Sequence, residues 1–247
     1  MVRLRRPPIP QALAANQATA TQALWSEWRQ TGTMPKANAS IYANPSVKLA
    51  LRNAQAHKCA YCETLNPTSH DVVEHFRPKN GWRQNSGDVL QGPEYFWLSY
   101  DWENLLFACD QCNDAGHKQN HFPLFNPKQR ATVANPQHAQ ERPLLINPYA
   151  DKPDLYIEWN RDIPRPRKGS KKGRKTIDVF GLARDGRLMD QRRAHLMTLE
   201  RVVELVECSS QSAQREAVRL QLLSAISDSG PWAAMTRANL GRRILAL

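Results

Sequence analysis

The 247-residue chain sets 34 Lys and Arg against 23 Asp and Glu, a formal net charge of +11 at pH 7, and 41% of it is hydrophobic. That length can bury a core as one large domain or two small ones, and the charge favours polyanionic partners through counterion release from phosphates. Five cysteines do not make an extracellular disulfide framework, no apolar run approaches a membrane span, and the N-terminus lacks a hydrophobic signal core. The expectation is a soluble cytoplasmic protein with no membrane contact.

Residues 1–10 set Arg3, Arg5 and Arg6 beside three prolines, which predicts an extended arm, either frayed or lying near nucleic acid. Residues 11–31, rich in Ala, Gln and Leu with Trp25 and Trp28, predict a helix stopped by Gly32 and Pro35. Residues 45–57 predict a second helix, opened by Pro45, with Val47, Leu49, Ala50 and Leu51 as its apolar candidates.

The chain then reaches two cysteine knuckles, Cys59-Ala-Tyr-Cys62 and Cys109-Asp-Gln-Cys112. Each leaves two residues between its thiols, the gap at which neighbouring thiolates share one ion, and a tetrahedral structural zinc is the natural occupant. If residues 105–113 are helical, Cys109 and Cys112 lie one turn apart on one face, with Asn113 about 100° further round. Between the knuckles run Asp71-Val-Val-Glu74-His75-Phe76-Arg77-Pro78-Lys79 and an aromatic stretch holding Phe96, Trp97, Tyr100 and Trp102. The aromatics are expected in the core of a β-rich run rather than stacked on bases.

Residues 126–142 are polar and predict irregular structure, 143–148 form a short apolar run closed by proline, and 155–159 alternate like a strand. Residues 165–175 carry Arg165, Arg167, Lys168, Lys171, Lys172, Arg174 and Lys175 with no acid, which predicts a mobile basic loop. These seven, with Arg77 and Lys79, are the candidate nucleic-acid contacts. Helices are expected over 188–206 and 212–226, with a break at Gly230-Pro231 before a last one. Cys208, alone in a helical stretch, is expected to be buried as an apolar residue.

The succession Glu74-His75, Asn104 and Cys109-x-x-Cys112-Asn113 resembles the HNH endonucleases, whose ββα-metal motif runs Asp-His, Asn, then Cys-x-x-Cys followed by His or Asn. More of the chain is similar to the HNH family of bacterial Septu and retron defence systems. The strings are Lys58-Cys-Ala-Tyr-Cys-Glu63, Glu74-His-Phe-Arg-Pro-Lys79, Trp97-Leu-Ser-Tyr-Asp-Trp-Glu-Asn104-Leu-Leu106, His121-Phe-Pro-Leu124, Glu141-Arg-Pro-Leu-Leu-Ile-Asn-Pro148, Lys175-Thr-Ile-Asp-Val-Phe-Gly-Leu182 and Pro231-Trp-Ala-Ala-Met-Thr-Arg237. The likeness covers nearly the whole chain.

Phosphodiester hydrolysis needs a base for the attacking water and a cation for the charge on the leaving oxygen. The resemblance implies His75 as the base, Glu74 and Asn113 as ligands of a catalytic metal, and Asn104 as the residue that orients His75 or braces its loop. Glu74 stands where the family usually has Asp and Asn113 where it often has His, and each keeps a donor. Few protein oxygen ligands suit Mg²⁺ or Mn²⁺. Lys118 falls near a family lysine and is a candidate phosphate contact; Glu141 matches a family position without an assigned role. His117 and His121 read as auxiliary ligands, phosphate contacts or solvated loop residues.

The implied architecture is α+β, mainly helical, with a zinc-stapled ββα-metal core over residues 57–127. An N-terminal arm and helical region precede it over 1–56, and a region with the basic loop and helices follows over 128–247. The implied function is a metal-dependent endonuclease, cutting DNA first of all, in anti-phage defence with a partner ATPase. No nucleotide-binding loop is present in the sequence, so any ATP use would come from elsewhere. Two alternatives stand beside it: a non-catalytic zinc module binding nucleic acid or protein, and a subunit silent without its partner.

Overall fold

Capping chemistry decides where the first helices begin and end. In the computed structural model, which describes residues 1–65, 71–114, 116–208 and 212–247, the expected first helix is two: α1 (Gln11–Ala14) and α2 (Gln17–Thr31). Asn16 separates them, its side-chain amide turned back onto the Ala12 carbonyl at 2.8 Å. Gly32 ends α2 in the left-handed conformation at φ 65°, the conformation a side chain disfavours, donating its N–H to the Trp28 carbonyl. A short α3 (Ala39–Tyr42) leads to α4 (Pro45–Ala54), whose first turn is closed by the Asn44 side chain accepting from the Ser46 amide.

The extended arm is not frayed. Met1, Val2 and Leu4 are buried, and the Leu4 amide donates to the Pro148 carbonyl at 2.8 Å. Arg6 is spent internally: its guanidinium donates to the Leu105 and Glu103 carbonyls and lies 3.6 Å from the centroid of the Tyr149 ring.

Strand β1 (Asp71–His75) pairs antiparallel with β2 (Leu105–Cys109), Glu74 opposite Leu106 and His75 opposite Leu105. Chain from β2 passes directly into the one-turn helix α5 (Asp110–Asn113). The helix expected over 105–113 is therefore corrected: its first five residues are a strand buried at every position. Leu105-Leu-Phe-Ala is a continuous apolar run, the signature of a strand covered on both faces. The aromatic stretch ahead of it forms 3₁₀ turns at Phe96–Leu98 and Trp102–Asn104 rather than strands. Its rings are core as expected: Trp25 of α2 stacks on Trp97 at 5.3 Å and meets Phe96 edge-on at 4.9 Å.

A second antiparallel pair, β3 (Ile157–Asn160) and β4 (Ile163–Pro166), receives α6 (Lys171–Val179). The mobile basic loop is thus a second correction. Ser170 caps α6, its hydroxyl accepting from the Gly173 amide at 3.1 Å, and Gly173, Thr176 and Ile177 form its buried face. Gly173 lies so close to the Tyr156 carbonyl that any side chain would collide with it. Charge dominates that segment's composition, yet the i, i+3, i+4 spacing of these three small or apolar residues seats the helix.

Helices α7 (Arg187–Cys208), α8 (Ser212–Ile226) and α9 (Ala233–Ala246) follow, close to their expected spans. They enclose a small core of their own around Leu196, Val203, Leu222, Met235, Leu240 and Ile244, while the larger core runs from Met1 through the knuckles to Leu188. Cys208 is exposed, not buried. It sits two residues beyond buried Val206, about 200° round the helix, which turns it to solvent. Alpha and beta structure coexist, with about half of the chain helical, and no helix among the described residues is long and apolar enough to cross a membrane.

Candidate metal centre and adjoining cleft

The first knuckle is held against the second by backbone bonds: the Ala60 amide donates to the Phe107 carbonyl of β2 at 3.0 Å, and Cys59 N–H donates to Thr64 O at 3.0 Å. Gln55 braces the same place from the end of α4, its amide donating to Lys58 and Phe107 carbonyls while its oxygen accepts from the Phe107 amide. Cys59, Cys62, Cys109 and Cys112 are buried, and their sulfurs all lie within 4.8 Å of one another. A tetrahedron of Zn–S bonds of ~2.3 Å has edges of about 3.8 Å, and Cys62 Sγ stands 3.7 Å from Cys109 Sγ. The four cysteines therefore fit a tetrahedral ion such as zinc. Hydrogen bonds from Cys109, Cys112 and Cys59 hold the Cys62 thiol well below its ordinary pKa. Arg192, fully buried, donates to the Cys62 carbonyl at 3.3 Å and brings positive charge to the site.

A cleft of about 290 Å³ opens beside this centre, and Glu74, His75, Lys79 and Asn113 all line it. Neighbours on a strand point oppositely, but β1 ends at His75, and the chain turns through Pro78, Lys79 and Asn80, which also line the cleft. The wrap occurs at the strand's end. Asn113 reaches the cleft from α5, the same turn that presents Cys112 to the sulfur cluster.

The His75 ring is fixed on two sides. Its Nε2 lies 2.9 Å from the Ser99 carbonyl, which can only accept, so Nε2 carries the hydrogen and Nδ1 the free lone pair. Tyr42 meets the ring edge-on at 4.7 Å. Burial first, then the charge of Lys79, pushes the His75 pKa down to about 3. The imidazole is neutral at physiological pH.

Glu74 is buried in an ion pair with Lys118, whose ammonium also donates to the His75 carbonyl at 2.7 Å. Burial raises the Glu74 carboxyl pKa, and the Lys118 charge works against that rise. Lys118 has no exposed side-chain surface, so the residue expected to touch phosphate is instead an internal counter-ion. Removing one member of a buried pair leaves the other uncompensated, at a cost of about 3–5 kcal/mol. Lys118→Met is expected to lower stability by that amount, and adding Glu74→Gln to recover most of it, measured as a double-mutant cycle in urea. Additive losses would contradict the pairing.

Asn104 is hydrogen-bonded into the loop that follows His75. Its Oδ1 accepts from the Arg77 amide at 2.7 Å, and its Nδ2 donates to the Arg77 and Leu98 carbonyls at 3.0 and 3.1 Å. It closes the turn after His75 without touching the imidazole. Asn104→Ala is expected to cost roughly 2–4 kcal/mol, because it strands buried backbone groups. An unchanged urea midpoint would contradict this role.

Glu141 now has partners. Its carboxylate accepts from Arg77 Nε at 2.7 Å, Tyr95 OH at 2.6 Å and the Ala131 amide at 2.8 Å, and Tyr95 OH in turn accepts from Arg130. Arg77, a candidate nucleic-acid contact, is thereby tied inward. Arg167 donates to the Asp154 carbonyl and Lys172 pairs with Asp151, whereas Arg165, Lys168, Lys171 and Arg174 are exposed and Lys175 half-buried. His117 pairs with Asp114, and His121 Nδ1 donates to the His117 carbonyl; neither lines the cleft. Ser99 and Tyr42 carried no sequence signal, since each reaches His75 only through long-range packing.

No family model matches the chain, and no solved structure matches it. The chain is 40% identical over 145 residues to the Septu protein PtuB of Bacillus mycoides (strain KBAB4), covering 58% of this chain and 48% of that one. It is 29% identical over 215 residues to the Septu protein PtuB of Bacillus thuringiensis, covering 84% of this chain and 66% of that one. A Septu protein PtuA of Bacillus mycoides shares 31% over 135 residues, 55% of this chain and 18% of the relative. The homologues are Septu proteins, and the chain spans just under half the length of the first of them.

Proposed function

We propose that the chain is a metal-dependent endonuclease of the HNH class, hydrolysing phosphodiester bonds of nucleic acid, DNA first of all, as part of a Septu-type anti-phage defence system. The observation that carries this reading is the placement of His75, its Nε2 tied to the Ser99 carbonyl and its Nδ1 lone pair uncommitted, in one cleft with Glu74 and Asn113. A neutral imidazole with one nitrogen committed can take a proton only at the other, and a bound water and phosphate that offset the burial and the Lys79 charge would raise its basicity.

His75 Nδ1 accepts the proton of the attacking water, while Ser99 and Tyr42 keep the ring from turning. Lys79, half-buried in the cleft, offers charge to a phosphate. Glu74 and Asn113 would hold a divalent ion, and their hard oxygens suit Mg²⁺ or Mn²⁺. When bound, such an ion supplies charge stabilisation for the leaving 3′ oxygen. The zinc-bearing cysteines take no part in the chemistry; they hold α5, and so Asn113, against β1.

The Lys118–Glu74 ion pair favours a second reading, that of a subunit silent until a partner arrives. Glu74 binds a cation only after exchanging its internal one, and contact with the partner ATPase would supply that change. Incubation of zinc-loaded protein with supercoiled plasmid tests both. Nicking in Mg²⁺ or Mn²⁺, abolished by chelator, supports the active enzyme. Nicking only after the neighbouring gene's product is added supports the silent subunit, and no nicking in either case contradicts the nuclease reading.

A further inference from the structure

A second cleft, of about 590 Å³, opens between α6 and the segment around Phe125, and no role has yet been given to it. Lys171, Arg174 and Lys175 line it from one face of α6, spaced i, i+3 and i+4. Among the described residues none of the three has an ion-pair partner, and the one carboxylate lining the cleft, Asp178, lies one turn further along. Phe125 lines the opposite side and is 43% exposed, a large ring left in water, with the Arg142 guanidinium 5.2 Å from its centroid.

One backbone segment contributes to both clefts. The Arg83 amide donates to the Asn120 carbonyl at 2.8 Å, and the Phe122 amide donates back to Arg83 at 3.0 Å. Beyond that, Gln84 bonds both the amide and the carbonyl of Leu124. Asn120 lines the first cleft, and Leu124 and Phe125 the second.

We infer that the second cleft is a binding subsite for single-stranded nucleic acid, with Phe125 stacking on an unpaired base while Lys171, Arg174 and Lys175 hold the flanking phosphates. A row of unpaired cations beside an exposed aromatic ring is the combination that tracks a single strand, whose bases have open faces; a duplex hides those faces and would leave Phe125 unused. The inference rests on the reading that the chain acts on nucleic acid.

Its test is equilibrium binding of a labelled 20-nucleotide single-stranded DNA, the same sequence as RNA, and the corresponding DNA duplex, without added divalent ion. Phe125→Ala is expected to weaken single-strand binding about tenfold, in the range of one lost stack, with duplex binding changed less than twofold. The triple variant K171Q/R174Q/K175Q is expected to flatten the salt dependence by about 2, three phosphate contacts at ~0.7 each. All four side chains reach solvent, and zinc content on the same samples confirms that each variant is folded. The comparison of DNA with RNA identifies which strand the cleft holds. Single-strand binding unaffected by Phe125→Ala, equal losses on duplex and single strand, or no binding by the wild type overturns the inference. Wild-type nicking together with an unaffected Phe125→Ala variant removes this subsite and leaves the nuclease standing; Phe125-dependent binding without any nicking does the reverse.

Discussion

Cys59→Ser is expected to leave the protein without zinc and without a stable fold. The four buried cysteine sulfurs lie within 4.8 Å of one another, a closed set of ligands, and apparent binding free energies for structural zinc are about 10–16 kcal/mol. Whole domains are stable by only about 5–15 kcal/mol, so losing even part of the metal's contribution exceeds the margin. The damage is not confined to the knuckle. Tyr61, between the paired cysteines, stacks on Phe180 at 3.7 Å, and Arg192 links the Cys62 carbonyl to Leu182, so α6 and α7 lose their seat as well. Asn113 loses its position with α5. Zinc content by atomic emission and helicity by circular dichroism, measured on the same purified variant, check this. A folded variant with wild-type melting and no zinc would contradict the structural role of the cluster.

His75→Ala is expected to reduce cleavage by roughly 10²–10⁴-fold, the usual contribution of a positioned general base. Zinc is expected to stay, since His75 contributes nothing to the sulfur cluster. Its ring contacts are Ser99 and Tyr42, and both belong to the frame that orients it. A drop in rate with zinc and helicity retained therefore reads on the proton transfer itself. The same drop accompanied by loss of zinc would mean that the substitution had collapsed the site.

Groupings carried by short spacings were legible in the sequence. The two knuckles carry their spacing on their face, and Glu74 and His75 are adjacent; the structure brings them into one cleft with Asn113. What escaped is what long-range packing decides. Nothing in residues 39–42 announces that Tyr42 meets the His75 ring, and nothing near Ser99 announces that its carbonyl sets the imidazole's tautomer. Lys118 attracted notice as a charge, but its burial against Glu74 depends on a partner 44 positions away.

The two secondary-structure corrections have different causes. At residues 165–175 the run of cations hid the Ser170 cap and the buried stripe of Gly173, Thr176 and Ile177, both of which were present in the sequence. At 105–109 cysteine spacing suggested a helix, whereas the unbroken apolar run described a strand covered on both faces. The arm at residues 1–10 shows the limit of reading charge alone, because Arg6 meets backbone carbonyls and Tyr149 inside the fold.

The central claim, that His75 serves as the base of a metal-dependent nuclease, is tested most directly by nicking of supercoiled plasmid. Wild type and His75→Ala are compared in Mg²⁺, in Mn²⁺ and with chelator, with zinc content recorded for each sample and the neighbouring gene's product added in a parallel series. The account predicts divalent-dependent nicking by the wild type, in one series or both, and a loss of at least about a hundredfold in the zinc-loaded variant. Nicking by His75→Ala at the wild-type rate would contradict it.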